Sequence, residues 1–323
     1  MIVDRWLPRC APATIVPSGE CVPERGPLPA CIQESPLIRG TPYSTPWEID
    51  LQFDLSNHQW DQRPYTEFLW RYSDHARSTL RTILDVRVGP RDEERIDIYP
   101  SADAGAPIVI FVHGGWWRRC TRKEWSFPAL GFAKRGYTVI ISDYALCPKV
   151  SVPDITQATR AAVIWAYENA EAINGDRNRI FLAGHSAGGQ QAAMMAVTDW
   201  TRHGIARDAL KGVAPMSAIY DMRVFQYSWI QGFLQLTGDA VESQSALFNI
   251  PEQAPPLFIT VGEEESVEFH RQAELFHESW HSRGHRSEYF SVHGEDHPTA
   301  VFMLANPDSL VCERMDNFFK NCG

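Results

Sequence analysis

From Pro107 onward, short and wholly apolar runs alternate with longer segments of helical spacing, which is how a parallel sheet buried on both faces reads. The apolar runs predict strands at 107–113 (PIVIFVH), 137–144 (YTVIISDY), 179–184 (RIFLAG), 211–217 (KGVAPMS), 256–262 (PLFITVG) and 287–293 (SEYFSVH). Between them the spacing predicts helices over Glu124–Arg135, Pro153–Ile173, Ala187–Arg202, Val267–Arg283 and Thr299–Lys320. Upstream, aromatic and aliphatic residues at helical spacing predict a helix over Tyr65–Ile83 that packs as a cap near a site on the sheet. Leu84–Val88 and Glu94–Pro100 alternate apolar and polar residues around a turn at Gly89–Asp92, and predict an antiparallel hairpin at the sheet edge. The fold class is therefore α/β, a mostly parallel central sheet with helices on both faces.

Two stretches depart from this rhythm. Residues 1–46 hold nine of the 22 prolines and show no lasting period, so they predict an irregular arm preceding a domain over 47–323. Ile219–Pro255 is too long for a simple crossover, and predicts a small lid insertion, about 219–255, beside the site. No internal repeat or low-complexity segment is present.

The chemistry concentrates where an apolar run breaks into Gly184-His185-Ser186-Ala187-Gly188 and then into small residues. A strand, a sharp turn and a helix in that order push the central serine hydroxyl out of the sheet edge. A serine is a poor nucleophile at its own pKa, so Ser186 requires a histidine, an orienting acid and an oxyanion hole. His113-Gly114-Gly115-Trp116-Trp117 follows the first parallel strand, and the N–H groups of Gly114 and Gly115, with that of Ala187, predict the hole. Trp116 and Trp117 are candidate pocket walls, and His113 reads as structural.

The base is expected on a loop after the last strand, where Gly294-Glu295-Asp296-His297-Pro298 makes His297 the choice over His293. The acid is expected just past the preceding strand, where Glu265 has the reach and Glu263 and Glu264 read as solvated; Asp221 is the runner-up and Asp296 a weak candidate. His277 and His281 stand at i, i+4 on a charged helix with no third ligand at suitable spacing, so no metal is expected.

With these residues in the order Ser186, Glu265, His297, the chain resembles the α/β-hydrolases. HGGWW and GHSAGG are similar to the esterase and lipase branch with an HGG motif. SAIYDM, SWIQGFLQLTGDAVESQSAL, VGEEESVEFHRQ and GEDHP resemble the kynurenine formamidase (arylformamidase) family, over roughly Tyr72–Phe319. The resemblance implies an α/β-hydrolase fold, hydrolysis of N-formyl-kynurenine by Ser186, Glu265 and His297, and no cofactor. Departures at Trp116, Ser245-Ala246, Gln231 and Pro298 fall in the lid and pocket rim, where they bear on the substrate rather than the chemistry. Tyr227 and Gln231 are the candidate pocket residues of the lid. A carboxylesterase for short acyl esters and a non-catalytic binding protein on the same scaffold remain as alternatives.

A net charge of −10 without a basic run argues against nucleic acid as partner. No run of about 18 apolar residues is present, so no membrane span is expected. Charge and proline interrupt the first residues before a signal-peptide core forms, which predicts a cytoplasmic protein acting on a small molecule, with a homodimer left open. The seven scattered cysteines read as free thiols. A carboxylate-bearing substrate meeting this negative protein would need a local cation, for which Arg118, Arg119, Arg122 and Lys123 are the candidates.

Overall fold

In the computed structural model, which describes residues 38, 40–54 and 62–322, the strands take the order β1-β2-β4-β3-β5-β6-β7-β8. β1 (Ile83–Arg87) and β2 (Arg95–Tyr99) form the antiparallel hairpin, and β2 joins β4 (Thr138–Ser142) antiparallel. From β4 inward every pairing is parallel, through β3 (Ala106–Val112), β5 (Gly175–His185), β6 (Leu210–Met216), β7 (Leu257–Gly262) and β8 (Ser287–Val292). β3, β4 and β7 are almost wholly apolar because both their faces are covered. β1 is mostly exposed, as an edge strand can be, and its register shifts between Ile83 and Val86.

One face carries α1 (Pro46–Phe53), α4 (Val152–Glu168), α5 (Ala187–Ala196), α6 (Gln231–Leu234), α7 (Gly238–Gln244) and α8 (Val267–Ser282), all packed into one apolar core with Ile108, Ile110 and Ile140. The other face carries α2 (Gln62–Thr79), α3 (Pro128–Lys134), α9 (His297–Phe302) and α10 (Leu310–Lys320), packed on Val109, Phe111 and Val139. Alternate residues of β3 thus feed opposite cores, as the two-residue period of a strand demands.

The predicted strands match the observed ones to within a few residues, and most predicted helices do too. Thr299–Lys320 is a correction: it forms α9 and α10, separated at Asn306-Pro307. Asn306 is extended (φ −107°, ψ 111°), because the Pro307 ring disfavours helical backbone in the residue before it. α1 was not foreseen in the pattern. Thr45 and Glu48 form a reciprocal capping box with Pro46 in the first turn, and Ile49 and Phe53 are buried beneath. Burying two such side chains contributes roughly 2 kcal/mol each.

The predicted arm over 1–46 lies outside the described residues except for its last part. There Tyr43 packs against the core and donates its hydroxyl to Glu268 Oε2 at 2.8 Å. The insertion at 219–255 is mostly core rather than cover. Met222, Val224, Phe225, Ile230 and Val241 are buried, and Gln244 hydrogen-bonds to Thr156 of α4. Among the described residues no helix is long and apolar enough to cross a membrane.

Candidate active site

Ser186 lies between β5 and α5 with φ 57° and ψ −119°, a backbone that costs a non-glycine residue energy and turns its side chain out of the sheet. The flanking glycines make the turn possible by close approach. A Cβ on Gly184 would fall 2.2 Å from the Gly188 carbonyl oxygen, and one on Gly188 would fall 2.1 Å from that of Val112. The Ser186 N–H is held by the Met216 carbonyl at 2.9 Å, which ties the elbow to β6.

His297 Nε2 lies 3.0 Å from Ser186 Oγ, and His297 Nδ1 lies 2.7 Å from Glu265 Oε2. Glu265 is buried in the turn after β7, and its other oxygen accepts from the Gly262 N–H at 2.7 Å and from the Ser217 hydroxyl. With Oε1 so engaged, Oε2 is aimed at the imidazole and fixes the tautomer that leaves Nε2 free to take the serine proton. His297 opens α9, whose N-terminus is closed by an Asp296–Thr299 capping box. Asp296 is therefore a helix cap.

The rival residues are placed elsewhere. Asp221 is buried and paired with Arg223, where it also caps the 3-10 turn Met222–Gln226. Glu263 takes the Gly294 N–H and pairs with exposed His293, while Glu264 is exposed. His277 bonds Ser287, and among the described residues no cluster of three or more His, Cys, Asp or Glu could hold a metal. The cysteines Cys120, Cys147, Cys312 and Cys322 are free thiols, each raised to about 11 chiefly by burial.

Gly114 and Gly115 stand just past β3, and among the described residues their N–H groups donate to no acceptor. Ala187 is the first residue of α5, so its N–H has no partner within the helix. Gly114 lies against the nucleophile: a Cβ there would meet that of Ser186 at 3.2 Å. Gly115 has φ 119°, and Trp116 and Trp117 follow with φ 59° and 55°, a run of left-handed backbone rare outside functional loops.

Ser186 and His297 open into a cavity of about 630 Å³ whose wall includes Trp47, Phe53, Tyr65, Trp70, Trp116 and Trp229. Three pocket assignments are corrected here. Trp117 is fully buried and donates its indole N–H to Gln190 Oε1 at 3.0 Å, because the left-handed run turns it inward while Trp116 stays on the cavity. Tyr227 is exposed outside the cavity lining. Gln231 spends both ends of its amide on the Leu236 backbone, at 2.9 and 3.1 Å. The lid instead presents Trp229, whose N–H is drawn onto α1 by Asp50 Oδ1 at 3.0 Å. The walls from α1 and α2 have no local signature beyond their aromatic content.

His185 was not singled out from the sequence. Its ring is buried, its Nε2–H donates to the His297 carbonyl at 2.7 Å, and its buried Nδ1 has no partner among the described residues. Burial, and secondarily the nearby His297, holds its pKa well below the ordinary imidazole value, so it stays neutral.

Residues 96–280 match the BD-FAE family model. The chain is 26% identical to the kynurenine formamidase of Danio rerio, over 82% of this chain and 93% of that protein, and 27% identical to that of Salmo salar, over 81% and 92%. A solved thioesterase candidate from Silicibacter sp. TM1040 is 25% identical with a TM-score of 0.73, covering 82% of this chain and 98% of that one. A Pyrobaculum calidifontis esterase, 18% identical with a TM-score of 0.66 over 86% and 98%, shares the fold. With more than half its length matched and a serine, histidine and glutamate in hydrogen-bonded sequence at the sheet edge, the chain belongs to the BD-FAE family and is a serine hydrolase of α/β-hydrolase fold.

Proposed function

We propose that the protein hydrolyses a small aryl formamide of the N-formyl-kynurenine type, or a related aryl amide or ester, in the cytoplasm and without a cofactor. The observation that carries the reading is the Ser186–His297 contact of 3.0 Å at the floor of an aromatic-walled cavity large enough for a one- or two-ring substrate. The kinship to relatives named kynurenine formamidase supports the formamide.

His297 Nε2 takes the Ser186 proton as Oγ adds to the formyl carbonyl, and the N–H groups of Gly114, Gly115 and Ala187 receive the oxyanion. The tetrahedral centre collapses as His297 protonates the departing aryl amine, leaving formyl-Ser186. Water, deprotonated by His297, then releases formate and restores the serine.

Arg118 and Arg119 line the cavity, and neither has a carboxylate in ion-pair contact among the described residues. The Arg118 guanidinium lies 3.9 Å from the Phe233 ring centroid and 5.9 Å from that of Trp229, a shelf that keeps the charge at the mouth. Such a cation suits a substrate carboxylate. Asp50, Asp54 and Glu124 line the same cavity, and this acidic share favours the second reading, a carboxylesterase for uncharged esters.

Side-by-side kcat/KM values for N-formyl-kynurenine and p-nitrophenyl acetate test the choice. The reading expects both to turn over, with the formamide preferred. Ester turnover with an inert formamide would leave the carboxylesterase.

A further inference from the structure

The loop that carries the oxyanion donors rests on a buried charged cluster that catalysis as described above does not use. His113 is fully buried and stacked on Tyr144, with centroids 4.2 Å apart and planes 10° from parallel. Its Nδ1 lies 2.8 Å from the Gly114 carbonyl oxygen, and its Nε2 lies 3.1 Å from Asp143 Oδ1. A carbonyl oxygen and a carboxylate are both acceptors, so each ring nitrogen faces a group that can only accept. Arg122 is buried and spans Asp97 Oδ1 at 2.9 Å and Asp143 Oδ2 at 2.8 Å, with its remaining nitrogen on the more exposed Asp85. One guanidinium thus bridges two buried carboxylates, and the His113 ring closes the cluster on the Asp143 side. The Asp143 carboxyl is accordingly held below its ordinary value: burial alone would raise it, but hydrogen bonds from His113 and Arg122 outweigh that.

The peptide between Gly114 and Gly115 is trans, so its C=O and N–H point in opposite directions. Fixing the carbonyl toward the His113 ring therefore fixes the Gly115 N–H away from it, on the side where Gly115 lines the cavity.

We propose that His113, its ring held by the Arg122–Asp143 pair, is a positioning residue that aims the Gly115 N–H at the oxyanion. The proposal rests on the hydrolase reading of the site. The contact of the His113 Nδ1 with the Gly114 carbonyl sets the direction of a donor. The clamp reaches from β2 through β4 to the loop after β3, so three strands cooperate in setting one peptide plane.

The test compares His113→Leu, His113→Asn and Asp143→Asn with wild type, measuring kcat and KM on p-nitrophenyl acetate, inhibition by an aryl trifluoromethyl ketone that forms an oxyanion on the serine, and Tm. Loss of an aimed oxyanion donor predicts a fall in kcat of about 100-fold in His113→Leu, with KM little changed and ketone affinity falling in step. His113→Asn keeps an amide donor at the position of Nδ1, and recovers about tenfold of that loss. Asp143→Asn shows the same kcat-only signature at smaller size. Undiminished kcat in folded His113→Leu, an Asn variant no better than Leu, or ketone affinity unchanged while kcat falls overturns the proposal. Should His113→Leu not fold, Asp143→Asn decides: kcat and ketone affinity both at wild-type values overturn it. A wild-type protein inert toward both ester and ketone overturns the hydrolase reading itself, which separates the two failures.

Discussion

The His185 ring, one residue before the nucleophile, donates its Nε2–H to the backbone carbonyl of His297 at 2.7 Å, with the two ring centroids 4.6 Å apart. The nucleophile elbow thus grips the base through its main chain while Glu265 grips it through its ring. A charged His185 would face the His297 imidazolium formed during catalysis, and burial keeps it neutral.

That neutrality has a pH signature. The His185 pKa is depressed in the folded protein, so below about 6.5 the unfolded chain binds a proton that the folded chain does not. Stability contributed by this site therefore falls as pH drops from about 6.5 toward the folded value, by up to about 1.4 kcal/mol per pH unit. Urea unfolding of wild type and His185→Gln at pH 7 and pH 5 checks it: the wild type is expected to lose more stability on acidification than the variant. Equal losses contradict it.

Glu265 is expected to be the acid that matters. Glu265→Gln should lower kcat by two orders of magnitude or more, since the wrong imidazole tautomer is then favoured. Glu263→Gln and Glu264→Gln should stay near wild type. Asp221→Asn should act on stability, because it leaves half-buried Arg223 without its buried partner. Steady-state kinetics and thermal melts of the four variants separate these outcomes.

The triad was legible because each of its members follows a different apolar run, and strand order alone fixes which loops meet at the sheet edge. Ser186 needed only its glycines, and His297 only its place after the last strand. Glu265 was singled out of three consecutive glutamates by reach, and its two competitors face outward. The pocket was less legible. Whether Tyr227 or Trp229 faces the cavity depends on the turn of a short irregular segment, which is set by the Asp50–Trp229 hydrogen bond from a helix 179 residues away in sequence. His185 carried no signal, because its partner is a backbone carbonyl. The cap Thr45-Pro46-Trp47-Glu48 and the break at Pro307 were readable in principle, since both rest on local chemistry.

Substrate charge should be read at the mouth. If Arg118 or Arg119 receives a carboxylate, Arg118→Ala or Arg119→Ala raises KM for N-formyl-kynurenine about tenfold, the scale of one partly exposed charge-assisted hydrogen bond, and leaves KM for p-nitrophenyl acetate alone. Unchanged KM for the formamide in both variants removes the role.

Trp229 and Trp116 meet at 5.6 Å in an edge-on contact across the cavity rim. Trp229→Ala should raise KM for aryl substrates more than for alkyl esters of equal size, because it removes an aromatic wall while leaving the triad in place. Equal effects on the two series would show that the ring contributes only bulk.

Because Ser186 and His297 act as a unit, Ser186→Ala should lower kcat by several powers of ten, and adding His297→Ala should cost little more. Losses that add in the double variant contradict the pairing.

The most direct measurement is the intact mass of the protein after exposure to a fluorophosphonate. The account predicts one adduct per chain, located at Ser186 by peptide mapping, absent from Ser186→Ala and strongly slowed in His297→Ala. An unlabelled wild type, or an adduct that persists in Ser186→Ala, would contradict it.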